Sequence, residues 1–452
     1  MTTAPRQPAR APAQFSPYIP NTDDDRSAML AAIGVEQFEE LVRDIPSEKR
    51  FPKLKLRPAA AELDLAREIG ELAARDQHAG RYACFLGAGA YRHFIPAVVK
   101  RLVARGEFMT SYTPYQPEVA QGTLQTAFEF QTLVAQLLGM EVANAGMYDG
   151  PTAFAEGALM ACRVTHRGKL AVLGTVSPRM VEVLQSYTRS QGVSVEVLSE
   201  DEHEVPGDAA ALLIQSPNGV GIVEDLAGLA KAAHDSGALA VASVNPTSAA
   251  LFRSPGECDV DIATAEGQAL GVPLGFGGPY VGLFACKAEH VRQMPGRIVG
   301  RTTDTRGNIG YVLTLQTREQ HIRRERATSN ICTSTQLVGL SVTAYLATMG
   351  KKGLREVAEL CYHKAHYAAE MIYRIPGYSL PVAGTFFNEF VVGCPVPPRE
   401  INERLLEAGT IGGLDVSDRV PDGMLFCVTE MNTKEEIDAL GAALREIGAG
   451  LR

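Results

Sequence analysis

The stretch Ala211-Leu-Leu-Ile214, followed by Asp225 to Ser236 and then Leu239-Ala-Val-Ala242, decides the architecture. Two short, continuously apolar runs flank a segment with helical spacing. An apolar run without polar alternation predicts a strand covered on both faces, and a helix between two such strands predicts a parallel crossover. Working outward, Lys169-Leu-Ala-Val-Leu173 and Ser194-Val-Glu-Val-Leu198 read as further strands of the same sheet. Upstream, Phe130, Leu133, Val134, Leu137 and Leu138 form one helical stripe, stopped at Gly139. The expected fold class is α/β with a mostly parallel sheet. Ligands of such sheets sit beyond the carboxyl ends of the strands.

The flanks read differently. Thr22-Asp23-Asp24-Asp25 opens a helix through Met29, Leu30 and Ile33, with its acidic residues where the helix dipole favours them. A second helical run spans about Ala59 to Arg75. From about Thr328 a long helical stretch carries Leu337, Leu340, Val342 and Leu346. Beyond it, Phe387 to Val392 reads as a strand, Arg399 to Ala408 as a helix ending at Gly409, and Met424 to Thr429 as a strand. Thr433 and Glu436 then make a capping box for a last helix. The expected partition is a leader at 1–17, a helical arm at 18–80, the large α/β domain at 81–327, and a linking helix with a small α+β domain at 328–452.

Composition narrows the function. The chain has 452 residues, 46% hydrophobic and 21% charged, an ordinary globular balance. Its net charge of −9 argues against nucleic acid as a partner, because phosphate binding needs a dominant basic face. No apolar run approaches a membrane span. The eight cysteines are scattered without a Cys-x-x-Cys pair, which fits reduced thiols in a cytoplasm. The first fifteen residues have no apolar core and read as a disordered tail.

Few motifs point to chemistry by themselves. Tyr112-Thr-Pro-Tyr-Gln-Pro-Glu118 sets two tyrosines between two prolines, a stiff aromatic loop suited equally to recognition and to capping the next helix. Phe85-Leu-Gly-Ala-Gly-Ala-Tyr91 lacks the third glycine of a dinucleotide fingerprint, so its glycines are expected to permit a tight turn. Gly275-Phe-Gly-Gly-Pro279 reads either as an anion-approaching loop or as a lead into a strand. Arg318, Arg323, Arg324 and Arg326 run into Ala327-Thr-Ser-Asn330 at an apparent helix start, which reads either as a solvated face or as a seat for a phosphate or carboxylate. Cys361, His363 and His366 read as a solvated helix face and match no zinc pattern. No Gly-x-Ser-x-Gly, His-Glu-x-x-His or phosphate-loop lysine occurs.

Longer motifs carry a resemblance. Tyr18-Ile-Pro-Asn-Thr-Asp-Asp-Asp25, Phe85 to Tyr91, His93 to Val98, Tyr112 to Glu118 and Gln121-Gly-Thr-Leu-Gln125 form the first half. Val142 to Gly150, Ala265-Glu-Gly-Gln268 and Ala327-Thr-Ser-Asn-Ile-Cys-Thr333 form the second. Together they resemble the P-proteins of the glycine cleavage system, in the form of the alpha subunit (subunit 1) of two-subunit bacterial glycine dehydrogenases. The resemblance implies the fold-type-I architecture of pyridoxal-phosphate enzymes. It implies an assembly that decarboxylates glycine and passes the aminomethyl group to the lipoyl arm of H-protein. Such enzymes need a lysine for the cofactor aldehyde.

Set against the cofactor-bearing subunit, Gln268 stands where the lysine is expected, Ser243 where an aspartate is expected, and Asp149 near the usual stacking histidine. The implied arrangement places pyridoxal 5'-phosphate in a partner beta subunit (subunit 2), with no catalytic residue in this chain. By analogy with related dimers, Thr328, Ser329 and Asn330 are expected at the phosphate of the partner's cofactor. Tyr112, Thr113, Tyr115 and Gln116, with Arg323 and Arg324, are expected at the glycine or lipoyl entrance. The rival expectations are a self-sufficient enzyme using Lys287 and a scaffold that only stabilises subunit 2 or docks H-protein.

Overall fold

The computed structural model describes residues 20–52, 55–199, 204–331 and 335–449; Tyr18 and the leader lie outside them. It comprises two units, Met1–Asp76 and Gln77–Arg452. In the first, helices run over Asp23–Ile33 and Glu62–Ala73. Thr22 caps the first of them reciprocally: its Oγ1 accepts the Asp25 N–H at 3.1 Å while Asp25 Oδ2 accepts the Thr22 N–H at 2.8 Å. The helix ends at Gly34, whose φ of 88° only glycine adopts without strain.

The second unit is built on a seven-stranded sheet. Strand β1 (Ala83–Cys84) lies outside it. The sheet strands are β2 (Val142–Ala143), β3 (Lys169–Val172), β4 (Ser194–Val197), β5 (Ala211–Ser216), β6 (Leu239–Val244), β7 (Ile262–Glu266) and β8 (Gly282–Cys286). Their order is β2-β8-β7-β6-β5-β3-β4, parallel from β7 to β4, with β8 antiparallel to both its neighbours. The four runs expected as strands are β3 to β6. Leu226–Asp235 forms the helix expected between β5 and β6, and Gln121–Leu138 the one stopped at Gly139. Central strands read as unbroken apolar runs because helices cover both faces.

The helix Gly150–Thr165 is almost wholly buried, from Ala153 to Ala161. Small residues make that possible. A Cβ on Gly157 would come within 3.2 Å of Val241 and 3.4 Å of Ile262, so the glycine lets the helix settle on β6 and β7. Two antiparallel strands, β9 (Ile298–Thr303) and β10 (Ile309–Thr314), form a hairpin.

The long helical stretch begins at Gln336 and not at Thr328. It runs to Tyr373 with a break at Gly350, where φ is 60°. Thr328 to Asn330 follow a single 3-10 turn at Arg324–Arg326. The small domain holds β11 (Glu389–Gly393), β12 (Thr410–Ile411), β13 (Leu414–Asp415) and β14 (Gly423–Cys427), in the antiparallel order β11-β14-β13. Strand β12 pairs with β1, so the Phe85 segment enters the fold against this domain. Helices Pro398–Glu407 and Lys434–Ala449 complete it, the latter with the expected Thr433–Glu436 box. No helix among the described residues is long and apolar enough to cross a membrane. The seven described cysteines are all unpaired thiols.

Candidate functional site

The carboxyl ends of β5, β6 and β7 open into a cavity of about 620 Å³. Its walls include Asp149 and Gly150, Gln215, Asn218, Ser243 and Glu266 from the large domain. Asp415, Asp418 and Arg419 close it from the small domain, and Gly87 to Tyr91 form one side. Arg419 Nη2 donates to Gly174 O at 3.0 Å, tying the small domain to the loop after β3. The size suits a cofactor-scale ligand, and the position is the one parallel sheets use for ligands.

The polar groups in and beside the cavity are nevertheless taken up by the chain's own contacts. Gln268 is 1% exposed. Its Oε1 accepts the Tyr91 N–H at 2.7 Å, and its Nε2 donates to Tyr91 O and Val272 O at 2.9 Å each. All of the amide's principal bonding capacity is thereby used on backbone. Beside it, the N-terminus of the Gly150–Thr165 helix is the natural anion seat of this cavity. Two carboxylates of this chain already take its amides. Asp149 Oδ1 accepts the Thr152 N–H at 2.8 Å, and Glu266 Oε2 accepts the Gly150 N–H at 2.8 Å. Glu266 Oε1 also accepts the Gln268 N–H at 2.9 Å. Gly150 must be glycine here, since a Cβ would meet Glu266 Cβ at 2.8 Å. Burial pushes the Glu266 carboxyl up to about 7, against the lowering effect of the Gly150 and Gln268 amides.

A third carboxylate, Glu389, closes the far wall. Its Oε1 accepts the Ala88 N–H at 2.5 Å and its Oε2 accepts the Tyr91 hydroxyl at 2.8 Å. Burial raises Glu389, and burial with the neighbouring Glu389 charge raises Tyr91 well above its ordinary range. The glycines of Phe85 to Tyr91 serve this approach: a Cβ on Gly87 would strike Glu389 Oε1 at 2.5 Å, and Gly89 sits at φ 109°.

The expected site residues lie elsewhere. None of Tyr112, Thr113, Tyr115, Gln116, Arg323, Arg324, Thr328, Ser329 and Asn330 is among the cavity's lining residues. Tyr112 is 79% exposed and Tyr115 46%. Tyr115 meets the arginine-rich segment, with His321 edge-on at 5.1 Å and the Arg297 guanidinium 5.4 Å from its ring centre. Arg323 and Arg324 are exposed. Arg318 is committed to backbone: its guanidinium donates to Leu315 O and Gly296 O at 3.1 Å each, and to Met294 O. Ser329 Oγ donates to Glu156 Oε1 at 2.5 Å. With no helix beginning at Thr328, the helix-dipole part of the anion expectation has no basis there.

Two other expectations need correction. Cys361, His363 and His366 do share one helix, but only His363 is exposed. Cys361 is buried, its Sγ 3.4 Å from Glu430 Oε2, and His366 stacks on Phe386 at 3.9 Å. Glu430 also pairs with His93, Nδ1 to Oε2 at 2.7 Å. Lys287, the rival lysine, is at the opposite end of the sheet. Its Nζ binds Asp259 at 2.7 Å and Asp261 at 2.6 Å, beside the start of β7. Five residues of strand, about 16 Å at roughly 3.3 Å per residue, separate Asp261 from Glu266. Sequence reading passed over Glu266, Glu389 and Arg297. Only the adjacency of Glu266 to Gln268 signalled any of them.

The strand order and the cavity at the carboxyl ends define a protein class: this is the fold-type-I architecture of pyridoxal-phosphate enzymes. Two of its structural neighbours share the fold alone. A sphingosine-1-phosphate lyase of Burkholderia pseudomallei is 17% identical with a TM-score of 0.62, over 89% of this chain and 94% of that one. A NifS-like protein is 14% identical with a TM-score of 0.60, over 82% and 100%.

Within the class, the chain belongs to the glycine cleavage system P-protein family, which matches residues 16–444. A crystal structure of glycine decarboxylase (P-protein) of the glycine cleavage system in inhibitor-bound form is 42% identical. Its TM-score is 0.90, over 96% of this chain and 100% of that one. A protein of Thermomicrobium roseum called probable glycine dehydrogenase (decarboxylating) subunit 1 is 53% identical, over 96% of this chain and all of its own length.

The cavity does not fit the cofactor of this class. No lysine is among its lining residues, Gln268, expected at the lysine position, is an amide bound to backbone, and the helix N-terminus that would receive a phosphate already holds Glu266 and Asp149. A phosphate brought here would have to displace these carboxyl groups from the amides they already hold.

Proposed function

We propose that this chain is subunit 1, the alpha subunit, of a two-subunit glycine dehydrogenase (decarboxylating) that works in the cytoplasm. Subunit 2 carries pyridoxal phosphate. The assembly releases the glycine carboxylate as carbon dioxide and passes the aminomethyl group to the lipoyl arm of H-protein. The observation that carries the division of labour is the bound state of Gln268, which leaves this chain without an amine at the place the class requires one. The name subunit 1 among its relatives supports a second chain.

In this reading the chain contributes walls and not chemistry. The Tyr112 to Gln116 loop lines the glycine or lipoyl entrance of the partner's site. Thr328 and Asn330 reach the phosphate held there, while Ser329 stays on Glu156. Arg323 and Arg324, exposed beside the loop, supply positive charge for a carboxylate.

Two measurements test this. The chain alone, incubated with pyridoxal phosphate, gives no imine absorbance and no borohydride-trapped adduct; a stoichiometric trapped adduct overturns the reading. With subunit 2 added, glycine–bicarbonate exchange appears at a rate subunit 2 alone does not reach. Full exchange by soluble subunit 2 alone supports the scaffold alternative instead.

A further inference from the structure

Beneath the Tyr112–Glu118 loop lies a charged network that neither the cavity nor the cofactor reading uses. Arg297 is 4% exposed and Glu319 8%. Arg297 Nε lies 3.4 Å from Glu319 Oε2, and Arg297 Nη2 donates to the Tyr115 hydroxyl at 3.3 Å. The same guanidinium lies over the Tyr115 ring at 5.4 Å. Glu319 Oε2 is also 3.6 Å from His321 Nδ1, and His321 meets the edge of the Tyr115 ring at 5.1 Å. The backbone under this cluster is anchored, since Arg297 O accepts the Ala145 N–H at 2.8 Å. Two separate segments, one carrying Arg297 and one carrying Glu319 and His321, therefore converge on one half-exposed tyrosine.

A buried arginine and carboxylate are costly to desolvate and give no advantage over apolar packing unless their geometry fixes something. Here the fixed thing is Tyr115. A cation over the ring, a hydrogen bond at its hydroxyl and an imidazole at its edge constrain tilt, roll and height together. Pro114 and Pro117 stiffen the loop's backbone but leave the side chain free to turn.

We infer that Arg297, itself oriented by Glu319, is a positioning residue that presets Tyr115 as a rigid wall for the small molecule or lipoyl arm entering the assembled site. This rests on the loop's proposed place at that entrance. A preset wall lowers the ordering cost of binding, so its loss appears in affinity before it appears in the chemical step.

The chain contains no tryptophan, which makes a direct test available. In the full-length chain, Tyr115→Trp supplies a single reporter. Adding Arg297→Met to it is expected to raise acrylamide quenching severalfold and lower anisotropy, with Arg297→Lys intermediate. In the reconstituted complex, Arg297→Met and Glu319→Gln are expected to raise KM for glycine or lipoylated acceptor about 5- to 10-fold, with kcat within twofold. Unchanged quenching and unchanged KM in assembled Arg297→Met overturn the inference. If Arg297→Met does not assemble, Glu319→Gln and Arg297→Lys decide by the same two readouts. If Tyr115→Ala leaves KM and kcat unchanged, the entrance reading falls, and this proposal with it. A silent Arg297→Met beside an impaired Tyr115→Ala removes this proposal alone.

Discussion

Replacing Gln268 by methionine separates two views of this residue: a neutral relic of a lysine, or a strut between distant segments. The methionine side chain matches glutamine in length, so it fills the space but makes no comparable hydrogen bonds. Three bonds disappear, to the Tyr91 N–H, the Tyr91 carbonyl and the Val272 carbonyl. The site is buried, so all three backbone groups remain without water to replace the amide. A stranded buried group costs about 1–3 kcal/mol, with the N–H at the upper end and the carbonyls lower. The apolar gain of methionine is about 1 kcal/mol on the transfer scale, so the net expected loss is roughly 2–4 kcal/mol. Urea denaturation followed by circular dichroism measures it as a lower midpoint at unchanged slope. Ser243→Ala, at the other position where a catalytic group is expected, serves as the control: it removes one small hydroxyl at the cavity wall and is expected to cost about 1 kcal/mol or less. A Gln268→Met variant as stable as the parent refutes the strut reasoning.

Gly150→Ala places a Cβ 2.8 Å from Glu266 Cβ and 3.0 Å from its backbone. Backbone cannot swing aside, so a loss of about 1–3 kcal/mol is expected in the same denaturation assay. Glu430→Gln tests the buried pair with His93. Burial works to raise the Glu430 carboxyl, but the His93 hydrogen bond and charge, with the Phe94 N–H, hold it below its ordinary value. A carboxyl lowered by folding adds stability that is present above its unfolded pKa of about 4.3 and is lost as pH falls through the folded value. The parent is therefore expected to lose melting temperature below about pH 4.3 more steeply than Glu430→Gln. At neutral pH the variant is expected to be about 1–3 kcal/mol less stable, because the amide cannot reproduce the carboxylate's hydrogen bonds to His93 Nδ1 and the Phe94 N–H. Parallel melting curves across pH 3 to 7, on the order of the carboxylate titration range, contradict this.

The central strands were legible because each is buried on both faces, which leaves an unbroken apolar run such as Ala211 to Ile214. Strands β7 and β8 were not. Ile262–Glu266 carries two alanines and a threonine and ends on a carboxylate, while Gly282–Cys286 opens on glycine; neither offers a branched apolar run. The start of the long helix was misplaced for a related reason. Alanine, threonine, serine and asparagine at 327–330 imitate a helix cap, yet Thr328 N–H bonds to Arg318 O and the long helix spans Gln336–Tyr373.

By itself the sequence determined the layered α/β class, the helix start at Thr22 to Asp25, the capping box at Thr433, and the presence of glutamine and not lysine at position 268. These depend on residue periods and on identities at single positions. Only the tertiary structure decided what these positions do. Gln268 meets Tyr91 across 177 residues and Glu389 meets Ala88 across 301, separations at which no local pattern survives. The cavity closes its own anion seat with Glu266, and Arg297 reaches Tyr115 across 182 residues. Hydrogen bonds and charge pairs of this kind depend on distance in space and are indifferent to distance along the chain, which is why folding had to bring them into view.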